Sequence, residues 1–493
     1  MVDHTPDQLP VAVIGAGPIG LAAAAHLAER NVPFIVVEAG DAPAAAVRAW
    51  SHVQLFSPWE YNTDPAARRL LAAAGWQEPE ASQLPSGGDM VKQYLQPLAE
   101  LPALAPHIRY GATVTAISRL GIDRLRTAGR EAAPFVVRLE GGEELLARAV
   151  IDASGTWRQP NYVGANGLPA HGEPEAAAWT THGLPDVFGE DRTQHAGRHT
   201  VVVGAGHSAA NTLLALAELA SAEEGTTITW AIRAADPAAS FGGGSDDELP
   251  ARGALGAGLK MLVDTGRVTL APNFRTHSVR RLGDDPARDQ VELISRAADG
   301  SEQRVTADRI VAATGFRPDF DITSELRLEL DPILSAPRAL APLIDPNQHS
   351  CGTVTPHGYR ELAHPEPGYY AVGMKSYGRA PTFLMLTGYE QVRSIAAALA
   401  GDLEAAQSVE LQLPETGVCS VTAGGEALAL RLGLRPEQHE QLLHATAKHL
   451  GTSPSAAEAV LAAATELGID HTTALQLAAY AAEQFDAPGA PGC

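Results

Sequence analysis

The apolar positions of this chain repeat one pattern twice. Residues 11–14, VAVI, form an unbroken apolar, mostly β-branched run, the signature of a strand buried on both faces. The glycine-rich turn Gly15-Ala16-Gly17-Pro18-Ile19-Gly20 follows, then LAAAAHLAER, a strong helix former. A second apolar run, 34–37, ends at Glu38. Much later the sequence predicts a strand at 200–203, the turn Gly204-Ala205-Gly206-His207-Ser208-Ala209, a helix over 211–220, and a strand at 226–232 ending at Arg233. Between the copies lie predicted helices after Asp64-Pro65 and over 88–98, and a strand over 108–117. An antiparallel pair, 135–139 and 144–151, turns at Gly141-Gly142 and runs into Asp152-Ala153-Ser154-Gly155-Thr156-Trp157. The Pro/Gly/His-rich stretch 160–198 has little apolar periodicity and predicts a connector. After 305–313, a strand ends at Gly373, a helix spans 381–400, and Ala/Leu-rich helical periodicity fills 424–485.

This order predicts an α/β fold of two nested Rossmann-type domains with a small α-helical C-terminal appendage. The expected boundaries are 1–160 and 321–415 for the first domain, 161–320 for the inserted one, and 416–493 for the appendage.

Each glycine turn has a physical role. Gly15 permits the sharp turn, Gly17 lets backbone N–H groups approach a pyrophosphate, and Gly20 lets the helix lie close on the strand. The helix N-terminus adds partial positive charge. Glu38 ends the second strand, where an acid accepts hydrogen bonds from ribose hydroxyls. In the second unit Gly204, Gly206, His207, Ser208 and Ala209 form the turn, with His207 lining it. There the strand ends in Arg233, which suits a 2′-phosphate and predicts NADPH over NADH. Gly242-Gly243-Gly244 with Arg252 predicts a flexible loop over that site, with Arg252 assisting on the phosphate.

A net charge of −22 argues against nucleic acid as a partner. The polar start MVDHTPDQ predicts no secretory signal, the apolar stretches are too broken for a membrane span, and three distant cysteines suit a cytoplasmic location. No His or Cys spacing fits a metal site, so none is expected, and Gly-His-Ser is not a nucleophile elbow. A homo-oligomer is left open.

In GAGPIG, Glu38, Asp152-Ala153-Ser154-Gly155, GAGHSA and Ala313-Thr314-Gly315, in that order over roughly 9–415, the chain resembles the two-dinucleotide-binding-domain flavoproteins. Within these it is similar to the branch of class B flavin-containing monooxygenases and thioredoxin-reductase-like enzymes. The segments MKSYGRAPTF and LPETGVCS also resemble flavoproteins of arsenic-resistance gene neighbourhoods. The resemblance implies FAD on the first unit, held by Gly15, Gly17, Pro18, Ile19, Gly20, Glu38, Ala153, Gly155, Gly373 and Met374, with Val114 beside the adenine. It implies NADPH on the second unit and oxygenation of a small molecule, at a soft heteroatom or carbonyl, by O₂ through a C4a-peroxyflavin. The alternative is a reductase passing electrons to a thiol or disulfide, a quinone or a protein acceptor.

Two departures stand out. Gly373-Met374-Lys375 replaces the Gly-Asp common in the third FAD segment, leaving Lys375 either as a cation near the flavin or as an ordinary surface lysine. The monooxygenase fingerprint before the second turn is not intact; its nearest counterpart runs from Phe188-Gly189 to His195. No C-x-x-C is present, so a dithiol relay would need Cys351 with Cys419 or Cys493. The aromatic stretch 48–64 predicts a pocket wall from Trp50, Trp59, Tyr61 and Asn62, joined by Tyr377 and Arg379. His52 and His357 carry no clear role in the pattern.

Overall fold

Val11–Ile14 (β1) is buried at every position and forms the centre of a five-stranded sheet. Its neighbours are Phe34–Val37 (β2) and Ala149–Asp152 (β7), with Ile108–Arg109 (β3) and Tyr369–Ala371 (β16) at the edges; every pairing is parallel. Strands buried on both faces need no polar alternation, so unbroken apolar runs become parallel strands here. Between β1 and β2 runs helix Pro18–Glu29 (α1), with proline at its first turn and residues from Ile19 to Leu27 buried. Its small alanines let it pack closely between the sheet and helices Pro65–Ala73 (α2) and Met385–Leu399 (α5).

The second sheet repeats the first. His199–Val203 (β9) is central, flanked by Thr227–Ala231 (β10) and Arg309–Ala312 (β15), with Thr269–Ala271 (β11) and Thr180–His182 (β8) outside, again all parallel. Helix His207–Ala222 (α3) joins β9 to β10, and Pro250–Asp264 (α4) packs beside it. Each unit also carries a three-stranded antiparallel meander, inserted before β7 in the first and before β15 in the second. These are Val114–Arg119 (β4), Phe135–Leu139 (β5) and Glu144–Ala147 (β6) in the first unit. In the second they are Thr276–Arg281 (β12), Val291–Arg296 (β13) and Glu302–Ala307 (β14). The two nested Rossmann-type units expected from the sequence are present.

The structure, a computed structural model, describes residues 8–242, 250–346, 356–381, 383–411 and 455–469, together with 438, 441–442, 445–446, 448–449, 474 and 477–478. The chain divides into two compact units, 1–342 with 355–414, and 343–354 with 415–493. In the second unit, helix Ala456–Glu466 (α6) buries Ala463 and Ala464 against Leu442, Ala445 and Leu477, the helical core that the periodicity implies.

Three local expectations need correction. The strand expected over 108–117 is two strands in two sheets, because Gly111 at φ 63° turns the chain between β3 and β4. The strand expected over 144–151 likewise divides at Arg148, β6 pairing antiparallel with β5 and β7 entering the parallel sheet. The connector expected over 160–198 contains β8, whose polar Thr-Thr-His gives no apolar signal because it lies at the sheet edge.

A buried charge cluster fixes the approach to β16. Glu366 accepts hydrogen bonds from Arg119 Nε (2.7 Å), Arg130 Nη2 (2.7 Å) and the Arg327 backbone N–H (3.0 Å). Burial opposes its ionisation, but the two guanidinium groups and the N–H outweigh that and hold the carboxyl below its ordinary value. The β4–β6 meander is thereby tied to the segment that delivers Gly373.

Candidate active site

The first glycine turn lies at the C-terminal end of β1, where parallel α/β sheets bind ligands. Gly15 has φ 96°, and a Cβ there would meet Ala153 O at 2.8 Å. A Cβ on Gly20 would come to 1.9 Å from Gly15 O, whereas one on Gly17 would meet nothing within 4 Å. Two glycines are thus demanded by backbone packing, and the third stands beside open space that fits a pyrophosphate at the start of α1. Pro18 is the first helical residue, and Ile19 beside it packs against Gly373 and Gly388.

Glu38 is held in place by two backbone donors. Its Oε2 accepts from Ala16 N and its Oε1 from Gly40 N, both at 2.7 Å. Each carboxylate oxygen keeps a second lone pair, so the acid retains capacity for ribose hydroxyls. The neighbouring chain runs alongside, with Ala112 N donating to Glu38 O, and brings Val114 to the start of β4. Ala153 N donates to Ile14 O, and Gly155 takes φ 69° just beyond.

Lys375 is no surface lysine. Only 1% of it is exposed, and its Nζ donates to Asp152 Oδ2 at 2.7 Å and to Ser154 Oγ at 3.0 Å. Asp152 also accepts from Tyr369 OH (2.9 Å) and Ser154 Oγ (2.6 Å). Full burial disfavours its charge, yet the Lys375 ammonium and these hydrogen bonds hold the carboxyl below its usual range. The lysine of the third segment therefore meets the acid that ends β7. Sequence spacing gives no sign of this contact, since 223 positions separate the two. Beside them Gly373 N donates to Gln391 Oε1, and Met374 is half-buried.

Of the expected pocket wall, Trp59 and Tyr377 are buried, Trp50 and Tyr61 are half-buried, and Arg379 is exposed. Tyr377 packs edge-on against Phe383, and burial raises its hydroxyl above the ordinary phenol value. Phe383 and Ile19 together enclose Gly388, where a Cβ would come within 2.8 Å of both side chains. The Asn62 amide is engaged locally: it donates to the Ser57 and Pro58 carbonyls and accepts from Ser57 Oγ. Asn62 O accepts from Tyr389 OH of α5 at 2.8 Å, so this loop is fastened to the helix that faces Ile19. His52 is exposed, while His357 is buried against the Tyr377 ring.

The second turn copies the first. Gly204 takes φ 134°, and its Cβ would lie 2.1 Å from Ala313 O, as that of Gly15 would meet Ala153 O. Gly206 again borders open space, and Ala209 stands buried at the place of Gly20. The buried Trp230 indole donates to Gly204 O at 2.7 Å and braces the turn. His207 begins α3 and is exposed, with Ser208 next to it. The acid of the first unit has no counterpart: Val203 pairs with Ala231 as Ile14 pairs with Val37, so buried Ile232 takes the Glu38 position. Arg233 follows, exposed. Arg252 departs from expectation. It sits on helix α4 with 5% exposure rather than on a loop, and Gly243 and Gly244 lie outside the described residues.

The sequence matches the pyridine nucleotide-disulphide oxidoreductase family over residues 12–350. The chain belongs to that family. It is an oxidoreductase whose cofactors are FAD and a pyridine nucleotide. Indole-3-pyruvate monooxygenase YUCCA1 of Oryza sativa subsp. japonica is 33% identical over 198 residues, which span 40% of this chain and 42% of the rice protein. The fold is similar to that of the bacillithiol disulfide reductase Bdr (YpdA) from Bacillus cereus, at TM-score 0.57 and 16% identity, covering 80% of this chain and 99% of that one. It is also similar to a flavin-containing monooxygenase from Stenotrophomonas maltophilia, at TM-score 0.50 and 21% identity, covering 80% and 98%.

Within this family fold, His195 of the incomplete fingerprint is fully buried, and its Nδ1 meets Thr200 Oγ1 at 2.9 Å. Burial pushes its pKa down to about 4, which makes it a neutral core histidine at ordinary pH. Cys351, Cys419 and Cys493 lie outside the described residues, as does LPETGVCS. Among the described residues no cluster of three or more His, Cys, Asp or Glu is placed to hold a metal, and no helix is long and apolar enough to cross a membrane.

Proposed function

We propose that this oxidoreductase is a monooxygenase that uses NADPH, FAD and O₂ to oxygenate a small molecule at a soft heteroatom or carbonyl. FAD belongs on the first turn, with Glu38 on its adenosine ribose and Val114 beside the adenine. NADPH belongs on the second, with Arg233 and Arg252 on the 2′-phosphate. The corresponding domains are 1–160 with 321–415, and 161–320. When bound, the flavin supplies the redox chemistry, taking electrons from the nicotinamide and passing them to O₂.

The observation that carries the oxygenase reading is the apolar wall beside the first turn. Ile19 and Phe383 close around Gly388 there, and Tyr377, at 1% exposure, packs edge-on against Phe383. Such a wall excludes water from a reacting centre. The stretch shared with the rice indole-3-pyruvate monooxygenase supports the same reading.

The deciding measurement is the visible spectrum after anaerobic reduction by NADPH and mixing with air. A transient blue-shifted band that precedes the return of oxidised flavin is expected. Immediate return with stoichiometric peroxide would overturn the oxygenase reading in favour of electron transfer to a thiol, quinone or protein acceptor. For the cofactor, Arg233→Asp is expected to raise the NADPH KM on the order of tenfold or more and leave the NADH KM nearly unchanged. Steady-state kinetics with both dinucleotides check this, and an unchanged ratio would remove Arg233 from the site.

A further inference from the structure

One residue of the aromatic loop reaches the second glycine turn. The loop is pinned on either side of Phe56: Leu55 N donates to Pro85 O at 2.9 Å and Trp59 N to Gln83 O at 3.0 Å. Between these anchors Phe56 projects across to the other dinucleotide unit. Its ring lies 5.2 Å, centroid to centroid, from the ring of His207, the first residue of α3. The Arg252 guanidinium carbon also lies 5.9 Å from the ring centroid, in cation–π range. Arg252 is only 5% exposed, while Arg233 on the same unit is exposed. A guanidinium so enclosed cannot reach a phosphate until what covers it moves. A flat ring in reach of both an imidazole at a helix N-terminus and a guanidinium also uses the surfaces that a dinucleotide's rings and phosphates would use.

We propose that the Phe56 side chain stands in the place of part of the nicotinamide dinucleotide. The cofactor must displace it to bind, and Phe56 thereby sets the affinity of the site; this rests on reading the second turn as the NADPH site. The displacement costs the ring's contacts with His207 and Arg252, and removing the ring removes that cost.

The test is calorimetric titration of the purified flavoprotein with NADP⁺, which binds without reducing the flavin. Phe56→Ala is expected to bind about three- to tenfold more tightly than the native chain, the scale of one aromatic and one cation–π contact. Phe56→Tyr, which keeps the ring, is expected to match the native affinity. Should the Ala variant lose flavin, Phe56→Leu carries the same test with the same sign. Equal or weaker binding by a flavin-replete Ala or Leu variant would overturn the proposal and make Phe56 a fixed wall of the site. If the native chain binds neither NADP⁺ nor NAD⁺, the reading of the second turn fails, and the proposal falls with it.

Discussion

Replacing Gly20 by alanine is expected to cost about 3 kcal/mol or more of stability, whereas replacing Gly17 by alanine is expected to cost almost none. A Cβ at position 20 would lie 1.9 Å from Gly15 O, which is backbone and itself held in the turn by Gly15 N donating to Val37 O. The only relief is to push α1 away from β1. That would open the packing of a helix buried from Ile19 to Leu27. At position 17 the φ of −78° suits any L-residue, and the added methyl meets nothing. Gly17→Ala should therefore fold normally and lose flavin, because the methyl enters the volume that the pyrophosphate needs. Denaturant unfolding and flavin absorbance per chain separate the two outcomes. A Gly17→Ala protein that retains full flavin would show that the first turn does not hold the pyrophosphate.

The second large effect is expected at the Asp152–Lys375 pair. Lys375→Met should destabilise the protein by about 3–5 kcal/mol, since it strands a carboxylate with 0% exposure in the interior. Asp152→Asn combined with Lys375→Met strands no charge and should recover at least about 2 kcal/mol of that loss. The pH dependence has a definite sign. The folded-state pKa of Asp152 lies below its unfolded value of about 3.9, so the pair's contribution is complete above that value. It fades as pH falls through the folded-state pKa. Acid unfolding of the native chain should therefore be steeper than that of the double variant. A Lys375→Met protein within about 1 kcal/mol of the native chain would contradict the assignment of this pair as a buried, mutually dependent contact.

Much of this was legible in the sequence because parallel strands, tight turns and helices here obey local rules. The VAVI run, the two glycine turns and the acid after β2 each report their own backbone environment, and the structure places them in register. The weak points were the edges. Strand β8 carries no apolar signal, and β3 and β4 read as one element because a single Gly111 decides where the chain leaves the sheet. Arg252 read as a loop residue because the glycines before it obscure the start of α4.

By itself the sequence determined the nested order of the two dinucleotide units, the place of each glycine turn, and the change from the acid Glu38 in the first unit to the basic Arg233 near the same point of the second. These follow from periodicity and spacing over a few tens of residues. Only the tertiary structure decided the partners of the charged side chains. Lys375 meets Asp152 across 223 positions, Glu366 gathers Arg119 and Arg130 from 247 and 236 positions away, and Phe56 reaches Arg252 from the other unit. A buried charge is tolerated only where another element supplies its counter-charge or hydrogen bonds, and no local pattern encodes which element that is.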